Sequence, residues 1–209
     1  MKAHTQETQS TISPGKALDF LKEGNGRFQN NLKANRNLLE QVNDTKEGQF
    51  PFATVLSCID SRVSAELVFD QGLGDIFSIR IAGNFVNEDI LGSMEFASKL
   101  AGTKLVVVLG HTACGAIKGA CDHARLGNLT ALIKKIEPAV DMVPEPKDES
   151  LRNSQNDEFV DAVAAKNVLM TIDNIYERSE VLRDMEANGD IRIVGGMYDL
   201  ASGAVTFFD

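Results

Sequence analysis

Three compact apolar runs stand out along the chain: Phe52–Ser57 (FATVLS), Ile76–Ile81 (IFSIRI) and Leu105–Leu109 (LVVVL). Each has the length of a strand and none alternates strictly, the pattern of strands covered on both faces. Between the last two, Ile90, Leu91, Met94, Ala97 and Leu100 recur at helical spacing after Asn87-Glu88-Asp89, a helix start signal. Ser13-Pro14 reads as an N-cap followed by proline at the first helical position, and Leu18, Leu21 and Phe28 then share a face, which predicts a helix over about Pro14–Asn30. The polar stretch Asn35–Glu47 gives no clear pattern. Further on, Val160, Ala164, Val168, Ile172 and Tyr176 step by fours along a long amphipathic helix, and Ser179 caps a shorter one that ends at Asn188-Gly189. Ile191–Tyr198 and Ala204–Phe208, with Ser202-Gly203 between them, close the chain as a hairpin or edge pair. Pro138–Arg152, with three prolines and several charges, reads as a surface loop between helices. Strands alternating with helices predict an α/β fold, a mainly parallel β-sheet flanked by α-helices, with an N-terminal helical arm and C-terminal edge strands.

Composition narrows the function. The 209 residues are 43% apolar and 24% charged, a globular composition for one domain. Lys and Arg number 21 against 30 Asp and Glu, a net charge of −9. With no basic block, this balance argues against nucleic acid or an anionic membrane as partner. No apolar run approaches the ~18 residues of a membrane span. The polar start, MKAHTQETQS, lacks the apolar stretch of a signal peptide. Three cysteines are too few, and odd in number, for a disulfide framework. The expectation is a soluble, reduced, cytoplasmic protein.

In parallel sheets, ligands bind beyond the carboxyl ends of the strands. Those ends carry Cys58-Ile59-Asp60-Ser61-Arg62, Ala82-Gly83-Asn84 and Gly110-His111-Thr112-Ala113-Cys114-Gly115. Cys58, His111 and Cys114 form a zinc-type set of two thiolates and one imidazole, three ligands with a fourth position open. Thr112 is expected to cap the helix that follows, with Cys114 in its first turn, where the helix dipole favours the thiolate. Asp60 and Arg62, two apart in an extended segment, point to the same side. A carboxylate held there by a guanidinium stays ionised; it either accepts a hydrogen bond from a zinc-bound water or takes the fourth zinc position itself. Cys121 reads as a packed thiol, His123 as a solvated surface residue and His4 as part of a frayed terminus. The glycines match neither the dinucleotide fingerprint nor the P-loop, which disfavours a nucleotide-binding domain.

These residues match a family. Cys58-Ile59-Asp60-Ser61-Arg62 and His111-Thr112-Ala113-Cys114-Gly115, with Arg80-Ile81-Ala82-Gly83-Asn84 between them, make the chain resemble a β-class carbonic anhydrase from about Pro14 to the C-terminal strands. The resemblance implies one zinc ion per chain on Cys58, His111 and Cys114. It implies hydration of carbon dioxide to bicarbonate and a proton, by hydroxide on zinc oriented by an Asp60–Arg62 dyad. It also implies a homodimer or homotetramer in which N-terminal helices embrace the partner. In the plant-type branch a glutamine at the place of Gln49 reaches across the dimer to substrate. Phe77, Ala82 and Phe96 take the pocket positions, and Gly115, closing the second motif, is placed with them. The other branch carries a regulatory bicarbonate site and a tryptophan where this chain has Val55, so no such site is expected, and Asp60 is expected to stay off zinc. Ser57 departs from the glycine usual before the first cysteine. The resemblance also divides one domain of 1–209 into a flexible terminus (1–13), a helical dimerisation arm (14–48) and a zinc-binding core (49–209). Two other activities fit the same motifs: hydrolysis of carbon disulfide or carbonyl sulfide at a similar zinc site, and a non-enzymatic zinc- or bicarbonate-binding domain.

Overall fold

The computed structural model describes residues 2–208. In chain order the elements are α1 (Gln6–Ser10), α2 (Pro14–Gln29), α3 (Leu38–Thr45), β1 (Ala53–Ser57), α4 (Ala65–Val68), β2 (Ile76–Arg80), α5 (Glu88–Glu95) and β3 (Leu105–His111). They continue with α6 (Gly115–Cys121), α7 (Leu129–Ile133), α8 (Glu137–Met142), α9 (Asp157–Arg178), α10 (Glu180–Ala187), β4 (Arg192–Tyr198) and β5 (Val205–Phe207). The sheet runs β2-β1-β3-β4-β5. Its first four strands are parallel, and β5 pairs antiparallel with β4 as the expected closing edge.

The continuous apolar runs have a simple cause. β1 and β3 lie inside the sheet and are buried at every position. Val55, Val107 and Leu109 pack with Leu21 of α2 and Phe69, while Leu56, Val106 and Val108 face Val168 and Ile175 of α9. A strand covered on both faces has no polar alternate positions. β2, at the edge, shows mixed exposure instead. The helix α9 lies close against β3 because position 110 is glycine; a Cβ there would stand 2.7 Å from Val168 Cγ2 and from Met197 Sδ.

The structure departs from the pattern in four places. The terminus expected to be free carries α1, closed by a capping box between Thr5 and Thr8. Gln9 of α1 is buried and donates to the Pro51 and Ala101 carbonyls at 2.7 and 2.8 Å, and His4 meets the rings of Phe20 and Phe52. One buried amide leaves no apolar stripe to read. The unreadable polar stretch contains α3, capped by Asn37. The segment read as a loop from Pro138 begins as α8, with that proline in its first turn; proline suits a helix start as well as a loop. After α5 the helix widens into a π-turn over Phe96–Leu100, which keeps Ala97 buried but leaves Leu100, the last residue of the expected apolar face, exposed.

One buried charge ties the N-terminal arm to the sheet. Asp70, at the end of α4, accepts from Arg27 Nε at 2.5 Å, Arg36 Nη1 at 2.6 Å and the Ala34 N–H at 3.0 Å. Burial works against its charge, but Arg27, Ala34 and Arg36 outweigh it and hold the carboxyl below its ordinary value. The stabilisation is therefore complete above the ordinary value of 3.8 and is lost as pH falls through the lower, folded value. Asp70→Asn should cost about 3 kcal/mol in urea unfolding at pH 7, because it leaves two guanidinium groups unpaired. The variant should also lose part of the wild type's acid sensitivity below pH ~4; an unchanged midpoint at both pH values would contradict this account.

Candidate metal centre

β1, β2 and β3 end side by side, so the residues after them meet. Cys58 follows β1, His111 ends β3, and Cys114 is the N-cap of α6. All three are buried, and their ligand atoms lie within 4.8 Å of one another. Among the described residues they are the group of His, Cys and carboxylate side chains placed to hold a metal ion.

The donor chemistry suits a cation. The sulfurs of Cys58 and Cys114 stand 3.9 Å apart, and the Gly83 N–H donates to Cys58 Sγ at 3.4 Å. Hydrogen bonding from Cys114, opposed by burial and aided by the Gly83 N–H, lowers the Cys58 pKa. The same sulfur–sulfur contact, with burial, raises that of Cys114. The pair thus holds one proton between two sulfurs, and a cation that replaced the proton would neutralise both. His111 Nδ1 lies 2.9 Å from the Thr112 carbonyl, which only accepts, so Nδ1 carries the proton. That leaves the Nε2 lone pair free, and Nε2 is buried with no hydrogen-bond partner. A buried orphan nitrogen beside two sulfurs fits a zinc ion.

The neighbouring carboxylate is fixed in place. Asp60 Oδ1 accepts from the Arg62 N–H at 2.9 Å and from Nε at 3.0 Å, and Oδ2 accepts from Nη2 at 2.8 Å. Arg62 holds the Asp60 carboxyl well below the usual carboxylate range, against a smaller burial effect. The other expected pocket residues are more dispersed. Phe77 and Phe96 meet edge to face at 6.4 Å and line an open groove of about 690 Å³ with Glu88 and Asp89. Ala82 is half-buried beside Gly83, and Gly115 is exposed at the start of α6. Gln49 is exposed beside Val42, Thr45 and Gly74, in a groove that includes none of the metal-type residues.

One local expectation is corrected. Thr112 does not cap α6; its hydroxyl accepts from the Leu200 N–H at 3.0 Å, and the helix begins at Gly115 with Cys114 itself as N-cap. The reason is Ala113, whose φ of +52° turns the chain before the helix can start. Cys121 is a packed thiol and His123 an exposed side chain beside Glu137, both as expected.

Four residues support the centre: Arg80 and Gly83, which stand in the strand-end motif but were given no role by the sequence, and Asn167 and Asp161, which the sequence did not mark. Arg80 donates to the Cys58 carbonyl at 3.0 Å and to the Asp60 carbonyl at 2.6 Å, bracing the first motif. The pairing of Ser57 with Arg80 across β1 and β2 puts it there, so the parallel-strand pattern is the signal that could have found it. Gly83 needs its φ of +76°, and a Cβ there would stand 2.3 Å from Ile136 Cδ1. Asn167 and Asp161, both on α9, bond to Gly83 and to Ala113; no local signal marks them.

Comparison with known proteins identifies the relatives. The family described as carbonic anhydrase matches residues 53–205. The chain is 32% identical over 203 residues to carbonic anhydrase 2 of Mycobacterium tuberculosis, covering 94% of each chain. It is 34% identical over 199 residues to a carbonic anhydrase of Mycolicibacterium smegmatis, covering 92% of each. Among solved structures it superposes on the beta-carbonic anhydrase CcaA with a TM-score of 0.70 at 25% identity, covering 92% of this chain and 95% of that one.

Burial, and secondarily the Asp122 carboxylate, pushes the Cys121 thiol up to about 11. Since the thiolate is the nucleophile, Cys121 should stay unmodified by a maleimide at pH 8 in the native protein and react once the chain is unfolded. Peptide mass spectrometry reads this directly, and rapid native labelling of Cys121 would contradict it.

Proposed function

The chain belongs to the β-class carbonic anhydrase family, and from that membership we propose that it catalyses the reversible hydration of carbon dioxide to bicarbonate at zinc held by Cys58, His111 and Cys114. The observation that carries the proposal is the buried, unpartnered His111 Nε2 beside two buried sulfurs 3.9 Å apart. Among the described residues three such donors come together there, the count of a catalytic site. When bound there, zinc supplies a Lewis acid that brings the pKa of a water in its open position to about 7.

The protein's own groups do the rest. Asp60 is kept anionic by Arg62 and serves only as an acceptor, so it takes a hydrogen bond from the attacking water and aims that water's lone pair at carbon. Pairing with Arg62 keeps Asp60 off the metal. Carbon dioxide is small and apolar; in this reading Ala82, beside Gly83, and the Phe77 and Phe96 rings, whose groove holds none of the metal-type residues of this chain, supply apolar surface for it. The space beside Gly115 is open, with no atom within 4 Å of where a Cβ would stand. A proton then leaves to buffer and bicarbonate gives way to water.

Gln49 stands apart from its own chain's metal-type residues, so in this reading it serves the centre of a second copy and donates to the oxygen that gains charge. The arm supports such pairing: Leu32, Leu38, Leu39 and Val42 are all at least half exposed, an apolar patch that a homodimer or a homotetramer would cover. Val55 and Gln49 favour the plant-type branch with no regulatory bicarbonate site. Among the described residues no helix is long and apolar enough to cross a membrane. Metal-binding thiols must stay reduced, which favours the cytoplasm.

Stopped-flow carbon dioxide hydration on protein of measured zinc content tests this reading. Wild type should carry stoichiometric zinc and be active, and a chelator should remove both. Asp60→Asn should keep zinc but lose about 100-fold or more in rate. Cys114→Ser should lose the metal as well. Zinc-loaded wild type without hydration activity, or an Asp60→Asn variant as fast as wild type, would overturn the assignment.

A further inference from the structure

We propose that α9 is an outer clamp on the metal centre, with Asn167 and Asp161 as positioning residues: Asn167 holds the loop after β2, whose Gly83 donates to Cys58, and Asp161 holds the loop that carries His111 and Cys114. The proposal rests on reading Cys58, His111 and Cys114 as the zinc ligands.

Each loop is held from the same helix. Asn167 is fully buried, and its Nδ2 donates to the Gly83 carbonyl at 2.8 Å. Gly83 in turn gives its N–H to Cys58 Sγ. The Gly83 carbonyl and N–H lie in adjacent peptide planes joined by that residue's φ and ψ, so anchoring the carbonyl through Asn167 restricts how far the N–H can swing from the sulfur. Such bonds orient a thiolate ligand and tune its charge. On the other side, Asp161 Oδ1 accepts the Ala113 N–H at 2.8 Å. Ala113 lies between His111 and Cys114 with a φ of +52°, a strained conformation for a non-glycine residue that persists only when its surroundings impose it. The Asp161 carboxylate is the group that imposes it. The distance from helix to sheet is set by Gly110, which admits Val168, the residue next to Asn167, against β3.

Packing alone does not explain Asn167. Its Oδ1 is buried without a hydrogen-bond partner, a loss that a leucine of similar size would avoid. What leucine cannot do is hold the Gly83 carbonyl. Thr171, one turn further along α9 and equally buried, also has an unpartnered Oγ1. It makes no bond to either loop and so serves as the control.

The test uses the full chain as wild type, Asn167→Leu, Asp161→Leu, Asp161→Asn and Thr171→Val. Zinc affinity is measured by competition with a chromophoric chelator, and the ligand field by the absorption of the cobalt(II)-substituted protein. Asn167→Leu and Asp161→Leu should each bind zinc about 10- to 100-fold more weakly and shift the cobalt–thiolate band. Asp161→Asn keeps an oxygen acceptor and should restore most of the affinity. Thr171→Val should leave affinity and spectrum unchanged, whatever it does to the melting temperature. Cooperatively folded Asn167→Leu and Asp161→Leu proteins that match wild type in both measurements would overturn the clamp. If Asn167→Leu fails to fold, the half-buried Asp161 decides the matter through its own pair of variants. A wild type that takes up no metal would instead defeat the zinc reading on which the clamp rests.

Discussion

Two sulfurs 3.9 Å apart in a buried setting cannot both carry a full negative charge without a cation to neutralise them. That constraint organises the molecule around it. The sulfurs come from different strand ends and meet only because β1 and β3 are parallel neighbours that finish at the same level. The imidazole between them has one nitrogen committed to a backbone carbonyl and the other left bare. Two thiolates and a neutral imidazole around a divalent cation would balance in charge, which the bare cluster cannot do.

The groups around the cluster restrict motion more than they add charge. Arg80 bridges two carbonyls of the first motif, Arg62 grips Asp60 through three hydrogen bonds, and Asp161 and Asn167 reach in from α9. Each removes a rotational freedom from a loop that would otherwise be mobile at the open end of the sheet. The exposure gradient follows the same logic. The metal-type ligands are buried, the Asp60 carboxyl is 16% exposed, and the Arg62 side chain is 57% exposed. Water therefore reaches the acidic oxygen while the sulfurs stay dry.

The edges of the molecule are less complete than its centre. β2 lies at a sheet edge with partly exposed side chains, and the arm presents leucines to solvent. Gln49 sits on that side, away from its own chain's cluster. An exposed apolar arm of this kind suits burial against a second copy.

Much of this was legible in the amino-acid order. The three apolar runs marked the parallel strands, two of them, β1 and β3, because both of their faces are covered and buried. The polar clusters after them marked the site because parallel strands deliver their ends to one place. Cys58, His111 and Cys114 could be paired with a metal before any coordinates, since thiol and imidazole chemistry at strand ends has few other uses. What periodicity cannot carry is the reach between remote segments. Asn167 meets Gly83 across 84 positions and Asp161 meets Ala113 across 48, and neither residue breaks its helix's pattern in a way that betrays the contact. Gln9 anchors the terminus by a single buried amide, and Ala113 turns left-handed without being glycine. Local patterns record which face of an element is dry; only the packed distances between elements decide which polar side chain arrives at which loop.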